Sequence, residues 1–309
     1  MKKLFRALAV VFTFVGIATI FSANASAISD TAPYIGITPA KAAMELLPGQ
    51  TYTGSFQVTN PGEVDFNYTI SVMPYKVYGE EYDKQDFATY DTHSLITDWV
   101  TFSSTSGHLE PHTASDYIFY TITVPNEIKI CGQYAAIAAT AAPKGNSDSG
   151  IVNVTSAAMI VYAAIDNCDA GLAGNVRIIE NKIPTFLLAP PLTTTSLVEN
   201  NSNIHIDATY TLQVYSFFTG EEVYSNEEQP MTSIVMPETN RFKAQTWENT
   251  PILGIYRVRQ TIKVYDQESV EEKIVIICPL WLIVLVLFAI IMTILWLRSR
   301  AKNRAKKTS

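Results

Sequence analysis

From Thr51 onward the chain consists of short runs in which apolar and polar residues change places at every second position, broken by Pro, Gly and Asn. "TYTGSFQVTN", "FNYTISVMPY", "SDYIFYTITV", "YAAIAAT", "SAAMIVYAAI", "ATYTLQVYSF" and "IYRVRQTIKVY" are such runs, rich in the β-branched and aromatic residues that suit a pleated, half-buried surface. A period of two sends alternate side chains to one face. Tyr52, Phe56 and Val58 are therefore expected to point inward, as are Ile118, Tyr120, Ile122 and Val124, and Tyr256, Val258, Ile262 and Val264. Amphipathic helical periodicity is hard to find in this region. Many short strands between turn signals predict sandwiches. A small, Gly-containing break, "NCDAGLAGN" at Asn167 to Asn175, divides them, with a new strand from Val176 and an early loop at "APPLTTT", Ala189 to Thr195. The expected architecture is all-β: two tandem immunoglobulin-like β-sandwiches, residues 28–168 and 172–273, followed by a single transmembrane α-helix.

Two stretches depart from the alternation, one at each end. At the start, Lys2, Lys3 and Arg6 precede an apolar run to about Phe21, and "ASA" at Ala25 to Ala27 offers small residues to a signal peptidase. Residues 1–27 therefore predict a bacterial-type signal peptide, the alternative being an uncleaved amino-terminal anchor. At the other end, residues 274–297, "IVIICPLWLIVLVLFAIIMTILWL", carry no charge and are long enough to cross a hydrocarbon layer of about 30 Å. Trp281 and Trp296 stand near the two ends of this run, and Pro279 falls in the first turn. The tail, residues 298–309, holds Arg298, Arg300, Lys302, Arg304, Lys306 and Lys307 without an acidic residue, which predicts a cytoplasmic end and type I topology in the cell membrane.

This topology changes the meaning of the charge. Of the 22 Lys+Arg, three lie in the leader and six in the tail, leaving 13 in the ectodomain against all 29 Asp+Glu, a formal charge of about −16. Such a surface repels nucleic acid, and it argues against binding an anionic wall polymer by charge alone, although a divalent cation can bridge the two.

Compartment also decides the cysteines. "KICGQYAAIAAT", with Cys131 beside a glycine, has the look of a reactive thiol, but an exported Cys131 meets one other extracellular cysteine, Cys168. If the two apolar runs form a hairpin about the polar turn "PKGNSDSG", Cys131 lies opposite about residue 165, near enough for a Cys131–Cys168 disulfide. Cys278, at the membrane edge, is read as an apolar filler or a palmitoylation position.

Other candidate chemistry is sparse. His108 and His112 in "HLEPH" have a metal-like spacing, but Pro111 breaks any helix that would align them, so no metal is assigned. His93 and His205 stand alone, no acid–base pair has a diagnostic spacing, and no Gly-rich phosphate loop is present, so neither an enzyme nor a cofactor is expected. Trp99 and Trp247 read as core residues, with sugar stacking as the alternative, and sequons stand at Asn67, Asn153 and Asn200.

In the first sandwich, "ITPAKAAMELLPGQTYTGSFQVTNPGEVDFNYTISVMPY" and "LEPHTASDYIFYTITVPNEIKICGQYAAIAAT" carry a Pro-Gly before the second strand, "VTN" at its end, "VP" closing a later strand and "GQYAAI" opening the next. In the second, "NNSNIHIDATYTLQVYSFFTGE", "VMPETNRFKAQTW" and "LGIYRV" carry strand-then-Pro, Arg, Trp and Gly-x-Tyr landmarks. Together with the order of leader, two sandwiches, span and basic tail, these features resemble the WxL-interacting surface proteins of Gram-positive bacteria, as a distant relative. Cys131 stands where that family usually has Gly, and Asn201 to Asn203 replaces a Gly-Asn turn. The resemblance implies that the first domain binds peptidoglycan and the second a partner or host protein; it assigns no binding residue. The sequence reading is a membrane-anchored bacterial cell-surface binding or scaffolding protein with a cell-wall polymer or another surface protein as partner. The alternatives are a sensory or assembly subunit of a membrane complex and, third, an extracellular hydrolase.

Overall fold

A computed structural model describes residues 33–143 and 154–305. The predicted leader, the start of the mature chain at Ile28, most of the "PKGNSDSG" turn, the sequon at Asn153 and the last tail residues lie outside the described residues.

The first sandwich contains β1 (Gly36–Thr38), β2 (Lys41–Leu46), β3 (Thr51–Asn60), β4 (Phe66–Pro74), β5 (Lys76–Tyr78), β6 (Lys84–Asp86), β7 (Val100–Phe102), β8 (Ser106–Leu109), β9 (Thr113–Ala114), β10 (Ile118–Thr123), β11 (Gly132–Pro143) and β12 (Thr155–Ile165). One sheet runs β1-β3-β10-β7 with β9 also on β3, and the facing sheet runs β2-β12-β11-β4-β8. β5 and β6 form a separate hairpin. The chain changes sheets between β1, antiparallel to β3, and β2, parallel to β12.

Alternation builds the core as the sequence implies. Phe56, Val58, Ile118, Ile122 and Val124 from one sheet meet Phe66, Ile137, Met159 and Val161 from the other in a continuous apolar layer, with Tyr52 and Trp99 packed at its margin. Each fully buried aliphatic or aromatic side chain contributes about 1.5–3 kcal/mol. In β11 and β12 Gly132 lies opposite Ala164, and the Ile165 N–H donates to the Cys131 carbonyl (2.7 Å). This is the hairpin register expected from the sequence, and it brings Cys131 and Cys168 together in a disulfide with Cα atoms 5.6 Å apart.

The second sandwich repeats this wiring with β13 (Val176–Lys182), β14 (Phe186–Leu187), β15 (Leu192–Asn200), β16 (Ile206–Ser216), β17 (Glu222–Ser225), β18 (Met231–Val235), β19 (Thr239–Trp247), β20 (Gly254–Val264) and β21 (Gln267–Ile277). Its sheets are β13-β15-β19 and β14-β21-β20-β16-β17, with β18 on β16 and β14 parallel to β21. Leu192 to Thr195, expected in a loop, open β15 instead, because Leu192 and Thr194 turn into the core in the same alternation that carries on to Val198.

The repeat extends to side chains. Asn60 ends β3 with its amide donating to the Val64 carbonyl (2.9 Å), and Asn200 ends β15 with its amide donating to the Ile204 carbonyl (2.8 Å). Each amide also reaches the end of the neighbouring short strand, at Leu109 in the first sandwich and Val235 in the second. The following turns, "LEPHT" and "VMPET", match in detail. Thr113 and Thr239 hydroxyls donate to the Glu110 and Met236 carbonyls, and His112 and Glu238 both take positive φ, 59° and 57°. Asn200 is fully buried by this role, so its sequon is closed to a glycan.

The apolar run that begins at Ile274 divides in two. Val275 and Ile277 are buried in the second core as the end of β21, and the helix α1 spans Leu280–Ala305. Its segment from Leu280 to Arg298 has a mean hydropathy of 3.0 and is long and apolar enough to cross a membrane.

Candidate functional site

The alternation fails in β11, and the site lies there. β11 is buried at every position from Gly132 to Ala139, although a strand on the outside of a sandwich shows one face to water. One face of β11 and β12 meets the first core; the other, with Tyr134, Ala136, Ala158, Ile160 and Tyr162, packs with Tyr75, Val77, Tyr82 and Phe87 against Ile234 and Met236 of the second sandwich. The two sandwiches are thus joined through a core of their own.

Tyr134 is the pivot of this joint. The His205 N–H donates to its hydroxyl (2.7 Å), which also faces His205 Nδ1 at 3.1 Å. Its ring stacks on His93 at 5.8 Å and meets Tyr162 and His205 edge-on. Burial drives the Tyr134 phenol upward and His205 below the ordinary histidine value of 6.5, so both are held neutral. Gly132 is required here because a Cβ would collide with the Tyr134 hydroxyl and the Ile204 backbone. The Gly132 N–H donates to the Asn203 carbonyl (2.9 Å) and the Cys131 N–H to Asn203 Oδ1 (3.3 Å), so the disulfide fixes the point where the linker leaves the first sandwich.

A second set of contacts comes from the β5–β6 hairpin. The Met236 N–H donates to the Tyr82 hydroxyl (2.8 Å), the Phe242 N–H to the Glu80 carbonyl (2.8 Å) and Arg241 Nη1 to the Glu81 carbonyl (2.9 Å). The Arg241 guanidinium lies over the Tyr82 ring at 3.8 Å, a cation–π geometry.

Beside these contacts the two sandwiches enclose a cleft of about 350 Å³. Lys41 from β2 and Arg241 and Lys243 from β19 line it, against one carboxylate, Asp207, on a floor that includes Tyr75, Tyr82 and Tyr162. Lys41 stands over the Tyr162 ring at 5.4 Å. Desolvation, and then the charge of Arg241, hold Lys243 below the usual lysine value, and Arg241 Nε is buried without a partner. Among the described residues, none of the three cations is ion-paired to a carboxylate. Three of the 13 Lys and Arg residues that lie between the N-terminal apolar run and the basic tail therefore share one concave, aromatic-floored space in a strongly acidic stretch of chain. Such a space suits a carboxylate or phosphate carried on an apolar or sugar framework.

The residues singled out in the sequence fall into three places. Cys131, Cys168, His93 and His205 converge at the joint, although the two histidines looked isolated. Trp99 packs against the first core and Trp247 is buried in the second, where it meets Tyr256 edge-on. His108 and His112 lie at the far pole of the first sandwich. Cys278 is a free thiol between β21 and α1. Among the described residues, no Ser, Thr or Cys side chain is hydrogen-bonded to a histidine, the pair that a serine- or cysteine-type hydrolase uses. The cleft lysines had no sequence motif, and Arg241 stood only as the Arg landmark of "VMPETNRFKAQTW"; their further signal was scarcity, as basic residues in an acidic stretch of chain.

No protein-family model matches this chain, and no curated protein matches it. Solved structures that match this chain include the Salmonella enterica SafA pilin in complex with the SafB chaperone, at 12% identity and TM-score 0.36 over 79% of this chain and 96% of that one. The E. coli chaperone DraB matches at 10% identity and TM-score 0.36 over 79% and 98%. The human CEP192 PapD-like domain 7 matches at 17% and 0.27 over 44% and 87%. TM-scores this low mean that the sandwiches superpose only loosely, and nothing about partners or activity follows.

Proposed function

We propose that this protein is a membrane-anchored binding or scaffolding protein of the bacterial cell surface, oriented as a type I protein, whose joined sandwiches hold an acidic group of a partner in the cleft between them. The partner is a cell-wall polymer or another surface protein. The reading agrees with the resemblance to WxL-interacting surface proteins and with peptidoglycan as a ligand of that family's first domain. The observation that carries it is the convergence of Lys41, Arg241 and Lys243 on one aromatic-floored cleft.

The test is co-sedimentation of the detergent-solubilised full chain with isolated cell wall of the source organism, together with cross-linking of surface proteins on intact cells. Binding is expected to survive moderate salt, because the cations are partly enclosed and less screened than exposed ones. Lys41→Glu with Lys243→Glu is expected to lower capture at least tenfold while the protein stays folded. Undiminished capture by that variant, or measurable turnover of a glycan or peptide, overturns the reading.

A further inference from the structure

The far pole of the first sandwich is the internal repeat of the pole by which the second sandwich docks. Counting from the paired asparagines, Asp65 corresponds to His205; from the paired strand ends Leu109 and Val235, His108 corresponds to Ile234 and Glu110 to Met236. In the second sandwich these three positions press into the joint. In the first they are an imidazole and two carboxylates facing outward. His108 Nε2 lies 3.2 Å from Glu110 Oε1 and 3.6 Å from Asp65 Oδ2, and the donor atoms of all three lie within 4.8 Å of one another.

The ring is also oriented from behind. His108 Nδ1 lies 3.0 Å from Asn67 Oδ1 on the neighbouring strand, a contact that holds the ring with Nε2 toward the two carboxylates; in the neutral tautomer with the proton on Nδ1, Nε2 offers them a lone pair. A ring nitrogen and two carboxylates converging on one point make a donor set that a cation between them would satisfy. The hydrogen bond to the second nitrogen is the arrangement that fixes tautomer and direction in histidine metal ligands.

We propose that His108, Asp65 and Glu110 form a binding site for a divalent metal ion of the zinc class. One imidazole nitrogen and two carboxylate oxygens suit such an ion, and the outward side leaves a coordination position open for water or for an acidic group of a partner. Pro111 excludes a helix, yet the site needs none: His108 lies in β8, Glu110 follows that strand, and Asp65 arrives from the Asn60-capped turn. His112 stays outside it, against Glu63 at 3.2 Å.

The experiment is titration calorimetry of ZnCl₂ into tag-free, chelator-treated full chain in detergent, with Co²⁺ absorption as a second readout. One saturable equivalent is expected. It is expected to be lost with His108→Ala and with Asp65→Asn, to weaken about tenfold with Asn67→Ala, and to be unchanged with His112→Ala. The Lys41→Glu, Lys243→Glu protein is expected to keep the metal, so the cleft and this site can fail separately. Absence of saturable binding, or binding indifferent to both His108→Ala and Asp65→Asn, overturns the proposal.

Discussion

The two sandwiches share one wiring diagram, yet they differ where it matters most. At the pole defined by Asn60 and Asn200, the first presents Asp65, His108 and Glu110 to solvent, and the second buries His205, Ile234 and Met236 against its neighbour. Three side chains on a common scaffold decide whether a pole is a polar end or a joint. The cores differ as well. The first is one apolar cluster whose buried Gln133 is satisfied by the Ile96 N–H and the Thr92 carbonyl. The second is divided into two clusters, and the positions between them hold Thr194, Ser196, Gln245 and Gln260. Both amide atoms of Gln260 lack a protein partner. The second sandwich therefore leans more on its neighbour for stability.

That dependence can be broken most severely at Tyr134. Tyr134→Ala empties the centre of the joint and is expected to cost about 3–5 kcal/mol, the usual range for truncating a buried aromatic. Calorimetry should show one unfolding transition become two, the second sandwich melting first. A single transition, lowered as a whole, would mean that the joint does not couple the sandwiches.

Removing the disulfide with Cys131→Ser and Cys168→Ser comes next, at about 3–4 kcal/mol from chain entropy for a loop of this size. The loss should appear as faster proteolysis at the linker following Cys168, because Cys131 and Asn203 anchor that linker. Gln260→Met should act in the opposite direction. It removes an unpartnered buried amide without opening a cavity and is expected to raise stability in urea by about 1 kcal/mol. A fall would show that the polar layer is satisfied after all.

The smallest effect is that of pH. Burial lowers the folded-state pKa of His205, with Asp207 opposing and Lys41 adding to the shift. A depressed histidine favours the neutral form in the fold, so its contribution is complete above the unfolded value near 6.5 and is lost as pH falls from there through the folded value. The midpoint of thermal unfolding should therefore decline below about pH 6.5, and His205→Asn should flatten that part of the profile.

Much of the fold could be read from the sequence because period-two alternation reports a sheet with one wet face. It placed Phe56, Ile122, Val258 and Ile262 in the cores and set the β11–β12 register closely enough to pair Cys131 with Cys168. The joint is written in the same code. "YAAIAAT", expected as an alternating run, is instead apolar from Tyr134 to Ala139 and buried throughout, and an uninterrupted apolar strand is one covered on both faces. The Gly-x-Tyr motif does not by itself fix a side-chain direction. Tyr134 points out of its sandwich into the joint and Tyr256 points into its own core, so the same three letters serve opposite faces. The cleft and the far pole were beyond sequence reading because each gathers residues from distant strands, Lys41 with Lys243 and Asp65 with His108, that only the tertiary fold brings together.

The central claim, that the joint builds a binding cleft, is tested most directly by photo-cross-linking on living cells. A photoreactive phenylalanine at Gln85 in the cleft is compared with one at Phe218, an exposed position on the second sandwich. The account predicts a discrete adduct with a wall fragment or a surface protein from Gln85, absent from Phe218 and abolished by Lys41→Glu with Lys243→Glu. Adducts from Phe218 alone, or a Gln85 adduct indifferent to the charge reversal, would contradict it.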